Sequence, residues 1–177
     1  MSQPASVLIG ESFIGDGAEA AHINTVLGHR AGPVGTAWAT ALATPSAGHA
    51  PFVAVLQPGV PVQPITLFVN KAAIASDEHG TLTWGAAQAG VAGGVADALS
   101  EGIIPAADVN ELVLIAAVWV NPAASDAELV YANNRAATRA ALQAGASGTP
   151  TVDQVMRARA RPFNPFFEPA AGLMSGE

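Results

Sequence analysis

The stretch that most constrains the fold is residues 10–24, GESFIGDGAEAAHIN. Residues 7–14 are mostly apolar or β-branched, and Gly15-Asp16-Gly17 then supplies the positive φ that a tight turn demands. The segment reads as a strand, a turn and a second strand. Side chains on the second strand alternate between faces. Ala20, His22 and Asn24 therefore share one face, and Ala21, Ile23 and Thr25 share the other. The hairpin sets an imidazole beside a carboxamide on one surface. A lone histidine on a strand of small residues is more often structural than chemical, so the hairpin by itself assigns it no role.

Beyond the hairpin, strands alternate with helices. Residues 32–44 (GPVGTAWATALAT) read as a short helix stopped near Pro45, and residues 52–56 as a strand. Residues 58–64 hold three prolines and a glycine and read as a rigid connection. Residues 65–74 (ITLFVNKAAI) form the clearest strand. Residues 82–100 read as a helix with Trp84, Gln88, Val91, Val95 and Ala98 on one stripe. Gly85, Gly90, Gly93 and Gly94 each weaken that helix by about 1 kcal/mol relative to alanine, which implies close packing against a sheet or another subunit. Residues 101–105 (EGIIP) read as a helix exit and turn.

Residues 112–120 (LVLIAAVWV) suit a central strand covered on both faces. Residues 126–144 read as a long helix with Ser125 as N-cap, and 151–159 as a last short one. The tail RPFNPFFEPAAGLMSGE is rich in proline and aromatics. Its last residues are expected to be mobile, with Phe163, Phe166 and Phe167 available to dock on a neighbour. There is no internal repeat and no linker. The expectation is one α/β (α+β) domain, residues 1–162, whose mainly antiparallel sheet is packed by helices, followed by a Pro/Phe-rich tail, 163–177.

A length of 177 residues suits one domain with a real core. Charged residues make up only 12% of the chain, against about 25% in an average soluble domain. With so little charge to cover the surface, part of the apolar surface is expected to lie between subunits of a homo-oligomer. The net charge of -7 argues against nucleic acid or an anionic membrane as partner. The absence of cysteine excludes a disulfide, a thiolate nucleophile and cysteine-ligated zinc. MSQPASVLIGES lacks the basic and long apolar regions of a signal peptide, and no apolar run reaches the ~18 residues of a membrane span. A soluble cytoplasmic protein is the default expectation.

Lys71 is the only lysine, and it lies in the clearest strand on one face with Leu67, Val69 and Ala73. It reads either as a solvated surface lysine or as a partly desolvated amine. In the second case its pKa is lowered, and it can act as nucleophile, acid or base, or anchor a carbonyl or carboxylate. Gln88 interrupts an apolar stripe, and a buried carboxamide needs partners. These are either backbone groups or the amide-like edge of a ligand such as a pterin. His29, His49 and His79 lie in loops, and no pair has helical metal-ligand spacing. A metal site at His79 and Asp77 ranks below a solvated loop. Arg135 and Arg139, with Glu128, suggest a solvated or intersubunit ion-pair face. Arg157, Arg159 and Arg161 suit a subunit contact or a ligand's anionic tail. There is no P-loop and no GxSxG elbow, and the GVAGG run at 90–94 lies inside a helix, where a dinucleotide fingerprint does not.

Taken together, GESFIGDGAEAAHIN at 10–24, PITLFVNKAAI at 64–74 and GAAQAGVAGGVADALSEGIIP at 85–105 resemble the formaldehyde-activating enzyme family, in that order and spacing, across residues 7–161. The resemblance implies condensation of formaldehyde with tetrahydromethanopterin, giving methylene-tetrahydromethanopterin and water. This is lyase-type chemistry of one-carbon metabolism, formaldehyde detoxification and methylotrophy, without a metal or redox cofactor. It implies a cytoplasmic homopentamer of α/β domains similar to the second domain of ribosomal protein S5, with the pterin in a cleft between subunits. By position, His22 matches the family's proton-donating histidine, and Lys71 and Gln88 match pterin-binding positions. Val53 stands where the family usually has leucine. Asn24 replaces a pterin-binding aspartate and Ala73 a threonine. Asn121-Pro122 and Arg161 replace a histidine-tryptophan pair and a histidine. The loss of charge at Asn24 predicts weaker pterin binding, a lower histidine pKa or a different ligand. The alternatives are a pterin or one-carbon carrier with reduced or changed activity, and an enzyme using the Lys71 amine towards an aldehyde or keto substrate.

Overall fold

The computed structural model describes residues 7–170. They form two compact units, one ending at Ser147 and one beginning at Gly148. In chain order the first unit runs β1 (Leu8–Ile14), β2 (Ala21–His29), α1 (Pro33–Ala43), β3 (Pro51–Val53), β4 (Val55–Gln57), β5 (Val60–Pro61), β6 (Ile65–Asn70), α2 (Asp77–Thr81), α3 (Gln88–Ser100), β7 (Leu112–Trp119) and α4 (Ala127–Ser147). Among the described residues, five strands make one sheet in the order β1-β2-β7-β6-β3. Only the β6–β7 pairing is parallel, so the sheet is mixed and mainly antiparallel, as expected.

The β1–β2 hairpin forms as its sequence dictates. Gly15 and Gly17 take φ of +89° and +64°, and a single 3-10 turn leads into β2. The register pairs Glu11 with Asn24 and Phe13 with His22. Helices α3 and α4 cover one face of the sheet. There Ile23, Leu27, Phe68, Leu114, Ala116 and Val118 meet Val91, Val95, Ala98, Val130, Ala137 and Ala141 in one core. Two of the glycines in α3 explain how the helices come so close. A Cβ at Gly94 would lie 2.4 Å from the Arg135 carbonyl oxygen, and one at Gly90 2.5 Å from that of Tyr131. The surface they pack against is α4 of the same chain, rather than a sheet or another subunit. Arg135 makes a fork of two 2.7 Å bonds to Asp97, and Arg139 pairs with Glu101. These arginines therefore bridge α4 to α3, and no bond joins them to Glu128 on their own helix.

Several local expectations are corrected. Residues 52–56 are not one strand: β3 and β4 are separated at Ala54, whose N–H donates to Thr66. Residues 58–64, expected to be a rigid connection, contain β5, which turns back on β4 at Pro58-Gly59. The strand expected over 65–74 stops at Asn70, and Lys71 extends the ladder by one bond, its N–H donating to Val118 at 2.8 Å. A π-helical turn, Leu82–Ala87, joins α2 to α3. This wider turn shifts the helical phase, so Trp84 is 52% exposed although Gln88, Val91, Val95 and Ala98 are buried. Strand β7 buries Leu114, Ala116 and Val118 on its core side and Val113 on the other. Ile115, Ala117 and Trp119 on the other side are half-buried. The cap of α4 is Asp126, whose Oδ1 accepts from the N–H groups of Glu128 and Leu129, and not Ser125.

In the second unit, α5 (Val152–Ala158) starts with a capping box between Thr151 and Gln154. Arg161 pairs with Glu168 at 2.6 Å, and Phe163, Phe166 and Phe167 are exposed. The mobility expected for the end of the tail concerns residues 171–177, outside the described residues.

Candidate functional site

The sheet has a second face, built by the strand positions that point away from α3 and α4. Cross-strand register puts Ile9, Glu11 and Phe13 of β1 on it, beside His22, Asn24 and Val26 of β2. Ile115, Ala117 and Trp119 of β7, Leu67 and Val69 of β6, and Val53 of β3 continue it. Helix α1 contacts β2, β7 and β3. Val34, Leu67 and Val113 are buried yet stand apart from the main core, as a second sealed layer would. Among the described residues nothing else covers this face, and Ile9 is 65% exposed.

A chain of four polar side chains crosses that open part. Lys71 Nζ donates to Asn24 Oδ1 at 2.8 Å and lies 3.2 Å from His22 Nδ1. His22 Nε2 lies 3.1 Å from Glu11 Oε1. The Phe13 ring flanks the imidazole, with centroids 5.9 Å apart. A charged Lys71 has only protons to offer, so Nδ1 of His22 must then accept, and the ring proton sits on Nε2 facing Glu11. If His22 takes a second proton, it goes on Nδ1, and Lys71 must become a neutral amine to accept it. The two groups thus hold one proton between them, as a coupled pair.

The electrostatics agree. Burial lowers the pKa of His22 most, and the Lys71 charge lowers it further, while the charge and hydrogen bond of Glu11 oppose both. Burial also lowers the pKa of Lys71, opposed by Glu11. Asn24 contributes an acceptor but no charge.

The backbone around Lys71 is tied down by its buried neighbour. Asn70 Oδ1 accepts from Ala50 N–H at 2.9 Å, and its Nδ2 donates to the Ala72 carbonyl at 2.7 Å. His49 Nδ1 donates to the Asn70 carbonyl at 3.2 Å. One side chain therefore fastens both the loop before β3 and the residues after Lys71.

The structure brings together His22, Asn24 and Lys71, and puts Val53 on the same face. Ala73 is exposed just beyond β6. Gln88 stands apart, projecting from α3 on the helical side, 7% exposed. Val55 N–H donates to its Oε1 at 2.7 Å and its Nε2 donates to the Val55 carbonyl at 3.2 Å. Its carboxamide thus acts as a strand partner for β4. His79 is not in a solvated loop. It is 2% exposed within α2, accepts from Ala75 N–H at Nδ1 and donates from Nε2 to the Val120 carbonyl. Among the described residues no group of three His, Cys, Asp or Glu side chains could hold a metal, and no helix is long and apolar enough to cross a membrane.

Sequence reasoning missed Glu11 and Asn70. The signal for Glu11 was available: a two-residue period on β1 and a hairpin register that sets it opposite Asn24.

Residues 9–167 match the formaldehyde-activating enzyme family. A bifunctional enzyme Fae/Hps of Methanothrix thermoacetophila is 40% identical over 158 residues, covering 89% of this chain and 40% of that protein. The protein of the same name from Archaeoglobus fulgidus is also 40% identical over 158 residues, with the same coverage. A 5,6,7,8-tetrahydromethanopterin hydro-lyase of Methanosarcina barkeri is 37% identical over 159 residues, covering 90% of this chain and 89% of that protein. The chain spans about two fifths of the length of the bifunctional relatives it matches.

Proposed function

The chain belongs to the formaldehyde-activating enzyme family, and on that premise we propose that it condenses formaldehyde with tetrahydromethanopterin to methylene-tetrahydromethanopterin and water. The observation that carries the reading is the Glu11–His22–Lys71–Asn24 chain on an open sheet face. His22 is the acid and base, Lys71 and Asn24 bind the pterin, and Val53 lends an apolar contact. Ala73 borders the site just beyond Lys71, and Gln88, which clasps β4 on the helical side, meets the pterin only from another subunit, with the one amide hydrogen it retains beyond its bonds to Val55.

The chemistry needs one movable proton. Formaldehyde adds to a pterin nitrogen to give a carbinolamine, the nitrogen losing a proton and the oxygen gaining one. The hydroxyl then leaves as water, taking one proton from the site and leaving an iminium. The second pterin nitrogen closes on that carbon and returns a proton. The net reaction consumes one formaldehyde and releases one water, with the site's proton restored. A group titrating near neutrality can do both halves, and holding the aldehyde beside the pterin adds proximity. The co-substrate is the pterin itself, and no resident metal or redox cofactor enters the scheme.

Exposed Ile9 and the half-buried apolar side chains beside it on the same face support a homo-oligomer, which we propose is a pentamer with the pterin between subunits, working in cytoplasmic one-carbon metabolism. The test mixes purified protein, formaldehyde and tetrahydromethanopterin and follows methylene formation by absorbance. A rate above the protein-free reaction that is lost in His22→Ala is expected. No rate above background overturns the activity, and calorimetric titration of the same pterin then separates a carrier from a protein with another ligand.

A further inference from the structure

We propose that Glu11 is a positioning residue of this site: its carboxylate accepts the Nε2 proton of His22 and supplies the negative charge that stabilises the imidazolium. The inference rests on the reading of His22 as proton donor, and it comes from geometry the hairpin imposes. Glu11 faces Asn24 directly in the β1–β2 register, so His22 is its diagonal neighbour two residues along. Diagonal neighbours on one face lie about 7–8 Å apart at Cα, within reach of a glutamate side chain. Its Oε1 reaches His22 Nε2 at 3.1 Å.

The other ring nitrogen leaves no alternative. Lys71 Nζ occupies Nδ1, so the proton of neutral His22 is on Nε2, and Glu11 is the group that accepts it. The groups facing the imidazole can be named element by element. Glu11 and Phe13 come from β1, Lys71 follows β6, Asn24 shares β2, and Trp119 is the register partner on β7. Of these only Glu11 carries negative charge. An imidazolium at His22, with Lys71 and a neutral Asn24 on its other side, has no other anion among them to offset it.

The rival account is a surface ion pair with no consequence, since the Glu11 side chain is 60% exposed and exposed pairs contribute little. The two accounts differ in what they do to His22. The experiment is a histidine-selective nitrogen-15 NMR titration of the full chain, wild type against Glu11→Gln and Glu11→Ala. We expect wild-type His22 in the Nε2–H tautomer at high pH, and a midpoint lowered by about half a unit in both variants. Both variants keep the tautomer, because Lys71 still claims Nδ1. Half a unit means about threefold less imidazolium above the midpoint. In the condensation assay kcat should accordingly fall about threefold at neutral pH, recover as pH is lowered, and leave KM for the pterin unchanged.

An unchanged midpoint in both variants overturns the proposal. A shifted midpoint in a protein whose wild type shows no condensation upholds the Glu11–His22 coupling and overturns the reading of the site as formaldehyde-activating.

Discussion

Replacing Asn24 by aspartate changes the charge of the cluster while leaving its shape almost untouched. Lys71 Nζ donates to Asn24 Oδ1 at 2.8 Å, and burial depresses the lysine pKa. A carboxylate in that place attracts the ammonium. Two unit charges 4 Å apart interact by about 4 kcal/mol at an effective dielectric of about 20, and somewhat more at hydrogen-bond distance. Lys71 is only half-buried, and solvent screening reduces this. A net of about 1.5–3 kcal/mol remains, which is about one to two pKa units on Lys71, upward.

The sign for stability follows. A base whose pKa is depressed in the folded state opposes folding at pH below that pKa. The penalty fades as pH rises through the window between the folded and unfolded values. Asn24→Asp removes much of that penalty at neutral pH, so it should not destabilise the fold there, although it buries a charge. Lys71 is the only lysine, so selective lysine labelling gives one side-chain nitrogen signal to titrate. A midpoint raised by one to two units is the expected result, together with tighter tetrahydromethanopterin binding by calorimetry. A midpoint that stays put or falls would refute the reasoning, because Lys71 would then not be held against residue 24 in solution.

Two further substitutions test the packing that carries the site. Gly94→Ala gains about 1 kcal/mol of helix propensity but drives a Cβ to 2.4 Å from the Arg135 carbonyl oxygen, and overpacking against backbone costs about 1–3 kcal/mol or more. Gly85→Ala meets nothing within 4 Å and should stabilise by about 0.5–1 kcal/mol, so denaturant titrations of the pair should move in opposite directions. Gln88→Ala strands the N–H and carbonyl of Val55. Its cost is about 2–3 kcal/mol, and at roughly 2–4 °C per kcal/mol for a chain of this size the melting temperature should fall by roughly 5–10 °C. An unchanged melting temperature would mean that Gln88 is not the clasp on β4.

What was legible in the sequence was local and periodic. The GDG turn, the two-residue alternation through His22 and Asn24, and the apolar run of β7 each follow from short-range backbone rules, and each is found. The failures are where tertiary geometry overrides the local pattern. The strand expected through Lys71 to Ile74 ends at Asn70 because Asn70, on the core side, turns its amide to Ala50 and Ala72. The stripe through Trp84 breaks because one π-helical turn shifts the phase by part of a turn. His79 looked like a loop residue because its neighbours are polar, but its ring links two backbone segments, Ala75 and Val120, that sequence spacing keeps apart. Glu11 is legible by the same two-residue alternation, carried back across the turn from β2 to β1, where the register sets it opposite Asn24.

The placement of the cluster on an uncovered face bears on how it would work. His22 and Lys71 are only half-buried, and burial is the main cause of both lowered pKa values. A flat ring laid over Phe13, Ala117 and Trp119 would exclude more water and lower both values again. The proton shared by His22 and Lys71 would then be held less firmly with the site covered than with it open. A departing hydroxyl at that surface is an acceptor that strengthens as it leaves. Binding of the ring and transfer of the proton are therefore coupled through hydration, and Glu11, at the wetter edge of the cluster, limits how far the imidazolium is destabilised before the carbinolamine arrives. On this account Asn24→Asp slows the chemical step even as it tightens binding, because it holds the same proton on Lys71. Measuring kcat and the pterin dissociation constant together in that variant would show it. A rise in both affinity and kcat would break the link between covering the face and releasing the proton.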